Sequence, residues 1–306
     1  MIKSFNTFEF IKNYKIKIRM IKKTFLAILA LGIFATSCSS DDDNGPTTSI
    51  LTLNLTSLEP LGTNFVYEGW IIVDGAPVST GTFTSVTFPQ SFTVNTAQLN
   101  SATTFVLSIE PLVDSDPLPA ATKILAGDFS GNSASVNSNG VVSDFSNASG
   151  MFFLRTPTDE TGTNNGNDEN GVWFGIPGMP PTANFVLPTL PEGWINEGWV
   201  VGDSGPLSTG TFTNFSTVDD AAPFSGVNPG PPIPGEDFFM NAPAGEIFPL
   251  DVRGRTVVIS VEPVPDDLPG PFVIKPLVGT AGMDTAPATH SFAMNLGSLP
   301  GGTVSR

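Results

Sequence analysis

Apolar and polar positions alternate with a period of two in the clearest segments of this chain. Phe105, Leu107 and Ile109 alternate with Val106, Ser108 and Glu110, and Val257, Ile259 and Val261 repeat the same face. That spacing puts one set of side chains on each side of an extended strand. Pro111 and Pro263 follow, and a residue without an N–H ends the ladder there. Trp70-Ile71-Ile72-Val73 runs into Asp74-Gly75, a strand entering a turn. Gly and Pro recur every eight to twelve residues, and no stretch after residue 38 keeps a helical apolar period. The expected fold is all-β and sandwich-like.

The pattern is written twice. EGWIIVDGAPVSTGTFTS at 68–85 matches EGWVVGDSGPLSTGTFTN at 197–214 without a gap, at an offset of 129. TTFVLSIEP at 103–111 matches RTVVISVEP at 255–263 at an offset of 152, and the match continues through Lys123 and Lys275. Between the two blocks the second copy is therefore 23 residues longer. Such self-similarity means a duplicated structural unit. Two tandem copies are expected, 50–155 and 172–306, joined by a polar hinge at 156–171. The extra residues fall in an insertion at 215–246, rich in proline. Phe224, Ile233, Phe238, Phe239 and Met240 give it apolar material to dock, so it is expected to be ordered.

The amino terminus changes the charge picture. Lys22-Lys23 precede an apolar run from Thr24 to Phe34, too short for a membrane span, and small residues then lead to Cys38. Residues 1–37 read as a secretory signal, with 1–19 an upstream extension before Met20. The small residues ending in the chain's one cysteine resemble a bacterial lipobox, although Ala35 stands where that pattern carries Leu. The resemblance implies a lipid on Cys38; an unmodified thiol or ordinary cleavage are the alternatives. Residues 38–49 form a polar tether whose Asp41-Asp42-Asp43 resembles the acidic export tag of Bacteroidetes surface lipoproteins, or is a solvated spacer. Residues 1–37 hold seven of the 13 basic residues and one of the 29 acidic ones, leaving six against 28, a net charge of −22. A surface of that sign repels nucleic acid. The expected location is the outer membrane, through a lipid anchor, with the fold resting on apolar burial and no disulfide.

Candidate chemistry is sparse. His290 is the one histidine and reads as a surface or capping residue. Glu68 with Glu197, and Glu110 with Glu262, are duplicated carboxylates of the kind glycoside hydrolysis employs. Catalytic acid and base need unlike environments, whereas repeated positions tend to share one, so a non-catalytic role is expected. Glu110 and Glu262 are instead expected to pair with Lys123 and Lys275 across a proline-rich connection, or to line a binding edge with them. Asp159-Glu160, Asp168-Glu169 and Asp219-Asp220 could hold Ca²⁺, but none sits in a twelve-residue EF-hand loop, and no cofactor is expected. Trp70 and Trp199 read as core, while Trp173 and Trp194, beside Gly and Pro, are candidates for stacking on a glycan.

Glu68-Gly69-Trp70, Gly75, Gly81-Thr82-Phe83, Glu110-Pro111, Pro117, Pro119 and Gly127, most of them present again in the second copy, resemble the extracytoplasmic C-terminal domain of anti-sigma-K factors. In that family the outer domain hangs from a membrane helix, and a separate cytoplasmic segment grips the sigma factor. The resemblance covers the outer module alone, doubled, and implies an envelope interaction or sensing module without direct sigma-factor contact. The alternatives are a surface glycan-binding lipoprotein and a carboxylate hydrolase.

Overall fold

The computed structural model describes residues 47–160 and 165–306; Cys38, the signal and most of the tether lie outside them. The first copy contributes β1 (Thr48–Thr56), β2 (Phe65–Val73), β3 (Ala76–Phe83), β4 (Gln90–Asn95), β5 (Thr104–Pro111), β6 (Lys123–Ser130), β7 (Ser133–Asn137) and β8 (Ser149–Leu154). Then come β9 (Gly171–Trp173), β10 (Phe185–Val186), β11 (Trp194–Val201), β12 (Pro206–Phe212) and β13 (Gly235–Asp237). The chain finishes with β14 (Thr256–Pro263), β15 (Leu277–Thr280), β16 (His290–Ser291), β17 (Ala293–Met294) and β18 (Gly301–Ser305). The fold is all-β, as the alternation predicts. One short helix was not foreseen: α1 (Thr96–Ser101), whose first turn is capped by the Asn95 side chain accepting from Ala97 N at 3.0 Å and Gln98 N at 3.1 Å.

The duplication is visible in the sheets. Strands β3-β2-β5-β6 of the first copy correspond to β12-β11-β14-β15 of the second, and each run is antiparallel. Both carry the same bulge, at Gly69/Trp70 and at Gly198/Trp199. Opposite each bulge stands a glycine at positive φ, Gly81 at 117° and Gly210 at 111°, a conformation side-chain-bearing residues rarely adopt. In the first copy the sheet runs on to eight strands, β3-β2-β5-β6-β7-β18-β1-β4. Phe83 on β3 meets Phe92 on β4 at 5.7 Å, so the two edges of that sheet come together and it nearly closes.

The copies are not independent in space. β18, from the end of the second copy, inserts between β1 and β7 of the first. β8, from the end of the first copy, pairs with β9, β10 and β16 of the second. These two strands occupy equivalent positions, since 149 and 301 differ by the same offset of 152 as the preceding blocks. Each copy thus donates its last strand to the other. Gly150 and Gly302 mark equivalent sites of close approach. A Cβ on Gly150 would lie 2.2 Å from the Phe185 ring, and one on Gly302 would lie 2.3 Å from Asn54 O. The exchange leaves one compact unit from Pro46 to Arg306 and one main core, in which Leu51, Tyr67, Phe105 and Leu107 join Phe152, Phe174, Ile259 and Val304. The boundary drawn at 156–171 divides the chain into copies along the sequence but not into separate cores.

That segment is not a free hinge in its described part. Thr156, Thr158, Asp168 and Asn170 are buried. Thr158 donates from N and Oγ1 to Asp237 Oδ2 at 2.8 and 2.6 Å, and its carbonyl accepts from Asn228 N at 2.8 Å. The polar composition that suggested a hinge instead supplies partners for polar groups of the insertion.

Candidate functional site

On the face of β2 and β5 turned away from Phe105 and Leu107, the repeated residues form one hydrogen-bonded chain. The Trp70 indole N–H donates to Ser108 Oγ at 2.8 Å, and the Ser108 hydroxyl donates to Glu110. Glu110 Oε1 also accepts from Ala120 N at 2.8 Å, which ties down the far end of the proline-rich connection after β5. The second copy repeats every link. Trp199 donates to Ser260 at 2.8 Å, Ser260 donates to Glu262, and Glu262 accepts from Phe272 N at 3.0 Å. The outer carboxylates follow the same rule. Ser79 donates to Glu68 and Ser208 to Glu197, while the two hydroxyls accept from Gly81 N at 3.2 Å and Gly210 N at 3.0 Å.

This arrangement explains why both faces of β5 and β14 are buried although only one is apolar. Ser108, Glu110, Ser260 and Glu262 are no more than 1% exposed, and each polar group has a partner. Burial is nevertheless felt electrostatically. It raises the Glu110 carboxyl above its ordinary range, pushes Glu262 up to about 8 and Glu197 up to about 7, with Ser–OH hydrogen bonds opposing the shift in each. Glu197, Glu262 and Asp266 bring carboxylate oxygens within 4.8 Å of one another. Their equivalents in the first copy, Glu68, Glu110 and Asp114, line an open groove of about 400 Å³ together with Trp70, Asp116 and Leu112. The rim of this groove exposes Leu112 and, nearby, Val113 and Leu118.

Several sequence expectations are corrected. Lys123 does not meet Glu110: its ammonium donates to Ala120 O at 2.9 Å, and Glu110 is satisfied by Ser108 and the Ala120 N–H. Lys275 is likewise absent from the ion pairs among the described residues, and its backbone is held by Ser298. A backbone N–H held in place by the loop satisfies each buried carboxylate without taking a lysine charge out of water. Trp173 and Trp194 are not exposed stacking platforms, although Trp173 contributes to the wall of a cavity beside the insertion. They are 3% and 5% exposed; the Trp173 indole donates to Asp237 Oδ1 at 2.9 Å, and Trp194 packs on Phe272 at 5.9 Å with no partner for its N–H. Trp70 and Trp199 are buried as expected.

His290 packs tilted against Phe152 at 5.3 Å, accepts from Gly282 N on Nδ1 at 3.2 Å and bonds Asp284 O through Nε2 at 3.0 Å. The paired acids suggested for Ca²⁺ have protein partners: Asp159 accepts from Asn167 at 2.7 Å, Glu160 binds Arg155 at 2.9 Å, and Asp220 accepts from Thr211 N at 2.6 Å. Sequence reading missed the insertion's buried acids. Glu236 and Asp237 are fully buried, and burial pushes them up to about 8 and about 7. The run Gly235-Glu236-Asp237-Phe238-Phe239 carries a detectable signal, acids embedded in apolar sequence. No protein-family model, curated protein or solved structure matches this chain.

Proposed function

We propose that this chain is a non-catalytic interaction module of the cell envelope, held there by a lipid on Cys38. The observation that carries the non-catalytic part is the identity of the two Trp–Ser–Glu chains. Each ends by holding the same connecting loop, and a general acid and base require groups set apart in environment. Glu197 and Glu262 are both raised by burial, in the same direction, which gives no such division of roles. The loop so held in the first copy carries the exposed Leu112, Val113 and Leu118, an apolar edge above an acidic groove, which suits a partner rather than a reaction.

The envelope part rests on the sequence of residues 1–49 and on the resemblance to the outer domain of anti-sigma-K factors, a module that works outside the cytoplasmic membrane. A glycan-binding reading loses support with the burial of Trp173 and Trp194. Metabolic labelling with an alkyne fatty acid tests the anchor. The wild-type chain takes up label and sediments with membranes, and Cys38→Ser does neither. An unlabelled wild-type chain, or one released from membranes by salt alone, overturns the anchored reading.

A further inference from the structure

The insertion is the longest departure of the second copy from the first, and it encloses a space that the first copy lacks the residues to build. A cavity of about 350 Å³ lies between the insertion and the 156–160 segment, with walls that include Thr158, Trp173, Asp219, Asp220, Ser225 and Ile233. Its hydroxyl and indole donors are already engaged, and its one side-chain amide has spent one of its two N–H groups. Ser225 donates to Glu236, Thr158 to Asp237 at 2.6 Å, the Trp173 indole to Asp237 at 2.9 Å, and the Asn228 amide to Glu160 O at 2.5 Å.

What the walls still offer are acceptors. Asp219 receives Gly235 N on Oδ2 at 2.9 Å, and Asp220 receives Thr211 N on Oδ1 at 2.6 Å. Among the described residues no donor from another residue reaches the second oxygen of either carboxylate. Behind the wall Glu236, fully buried and not itself lining the cavity, accepts from the Ser225 hydroxyl and interacts with the Phe224 backbone N–H, adding negative charge beside Asp219. Among the described residues no lysine or arginine lines the cavity, and Val218, Pro229, Pro231 and Ile233 supply apolar wall.

A site with acceptors, negative charge and apolar walls selects a ligand rich in donors and positive in charge. Anions are repelled, and a sugar, which needs donors as well as acceptors, would leave its own oxygens unpaired. A divalent ion needs several carboxylates converging on one point. Among the described residues the grouping that does so is Glu197, Glu262 and Asp266, none of which lines this cavity. We propose that the insertion cavity binds a primary ammonium or guanidinium group carried on a short apolar stem, with Asp219 and Asp220 receiving its N–H donors. The inference stands independently of the envelope reading.

Asp219, faced by Asp220 and Glu236 with Asp237 and Asp159 close behind, is pushed by burial up to about 7, so a bound cation and a proton compete for it. Affinity therefore rises as pH rises through about 7.

Calorimetry on the chain from residue 39 onward tests this with n-butylamine, butylguanidine and the neutral isostere n-butanol, and with a pentapeptide carrying one central Arg. Both cations are expected to bind and butanol not to. Asp219→Asn and Asp220→Asn each weaken binding by about tenfold or more. Val218→Trp, at an exposed wall position, blocks binding while leaving the thermal transition in place, which separates loss of the site from loss of the fold. Tighter binding of the peptide than of the free cations identifies a partner's side chain as the source; the reverse identifies a small amine. Equal binding of butanol, no binding of either cation, or binding of Ca²⁺ in their place overturns the proposal.

Discussion

Ser108 and Ser260 each accept a hydrogen bond from an indole N–H and donate one from their own hydroxyl to a buried glutamate. At this scale the chemistry is one of satisfying polar groups inside a sheet, and its consequence is a pH dependence of stability. Burial places Glu262 and Glu236 up to about 8, and Glu197, Asp219 and Asp237 up to about 7. The folded chain therefore keeps protons that the unfolded chain has released above pH ~4.5. Stability from these groups is fully present below that pH and falls as pH rises toward about 8. Asp251, which the Arg253 hydrogen bond holds below the usual carboxylate range, acts in the opposite sense but at lower pH, outside this window. The melting temperature is expected to drop by on the order of 5–10 °C between pH 5 and pH 8.5. Glu262→Gln, which keeps an acceptor for Phe272 N–H, should flatten that slope. A melting temperature that rises across the window contradicts the account. The sequence made these glutamates visible as repeated letters but misassigned their partners. Lysine thirteen residues away is easy to see in a string, whereas the Ala120 N–H and the Phe272 N–H carry no letter of their own.

Strands were the most legible elements, because period-two alternation and terminal prolines are local signals. β5 and β14 lie where the pattern places them, and the bulge glycines Gly81 and Gly210 sit inside the repeated STGTF. The insertion docks through part of its apolar material: Phe238 and Ile233 are buried, and Phe224 packs against Phe238 at 5.9 Å and Phe248 at 5.3 Å, whereas Met240 is exposed. Its attachment was not legible, since Thr158 and Asp237 are 79 residues apart and neither belongs to the repeat. The Thr158 hydroxyl both donates to Asp237 and accepts from Gly226 N at 2.7 Å. Thr158→Val removes both bonds and leaves the buried Asp237 with one donor fewer. The expected outcome is about tenfold faster nicking within 215–234 in limited proteolysis, at a protease level where the wild-type chain is cut slowly. Unchanged cleavage there would mean that the insertion is held by its apolar contacts alone.

At the scale of the whole molecule, the two copies are interlocked. β8 and β18 are equivalent strands, each completing the sheet of the copy it does not belong to. Nothing in the alternation could disclose this. A terminal strand of one repeat fits the sheet of either, and which one it joins depends on connections and closure rather than on its own side chains. Arg306 closes the exchange at one end, donating to Ala102 O at 2.9 Å and Gly131 O at 3.0 Å with its guanidinium 4.4 Å from the Phe129 ring centre. The core that results is shared, so neither copy holds a complete one. The most direct test divides the chain between the described segments and produces Pro46–Glu160 and Asn165–Arg306 separately. Strand exchange predicts that neither fragment shows a cooperative thermal transition alone, and that mixing them restores one in a one-to-one complex. A sharp, independent transition in either fragment, unaffected by the other, would contradict it.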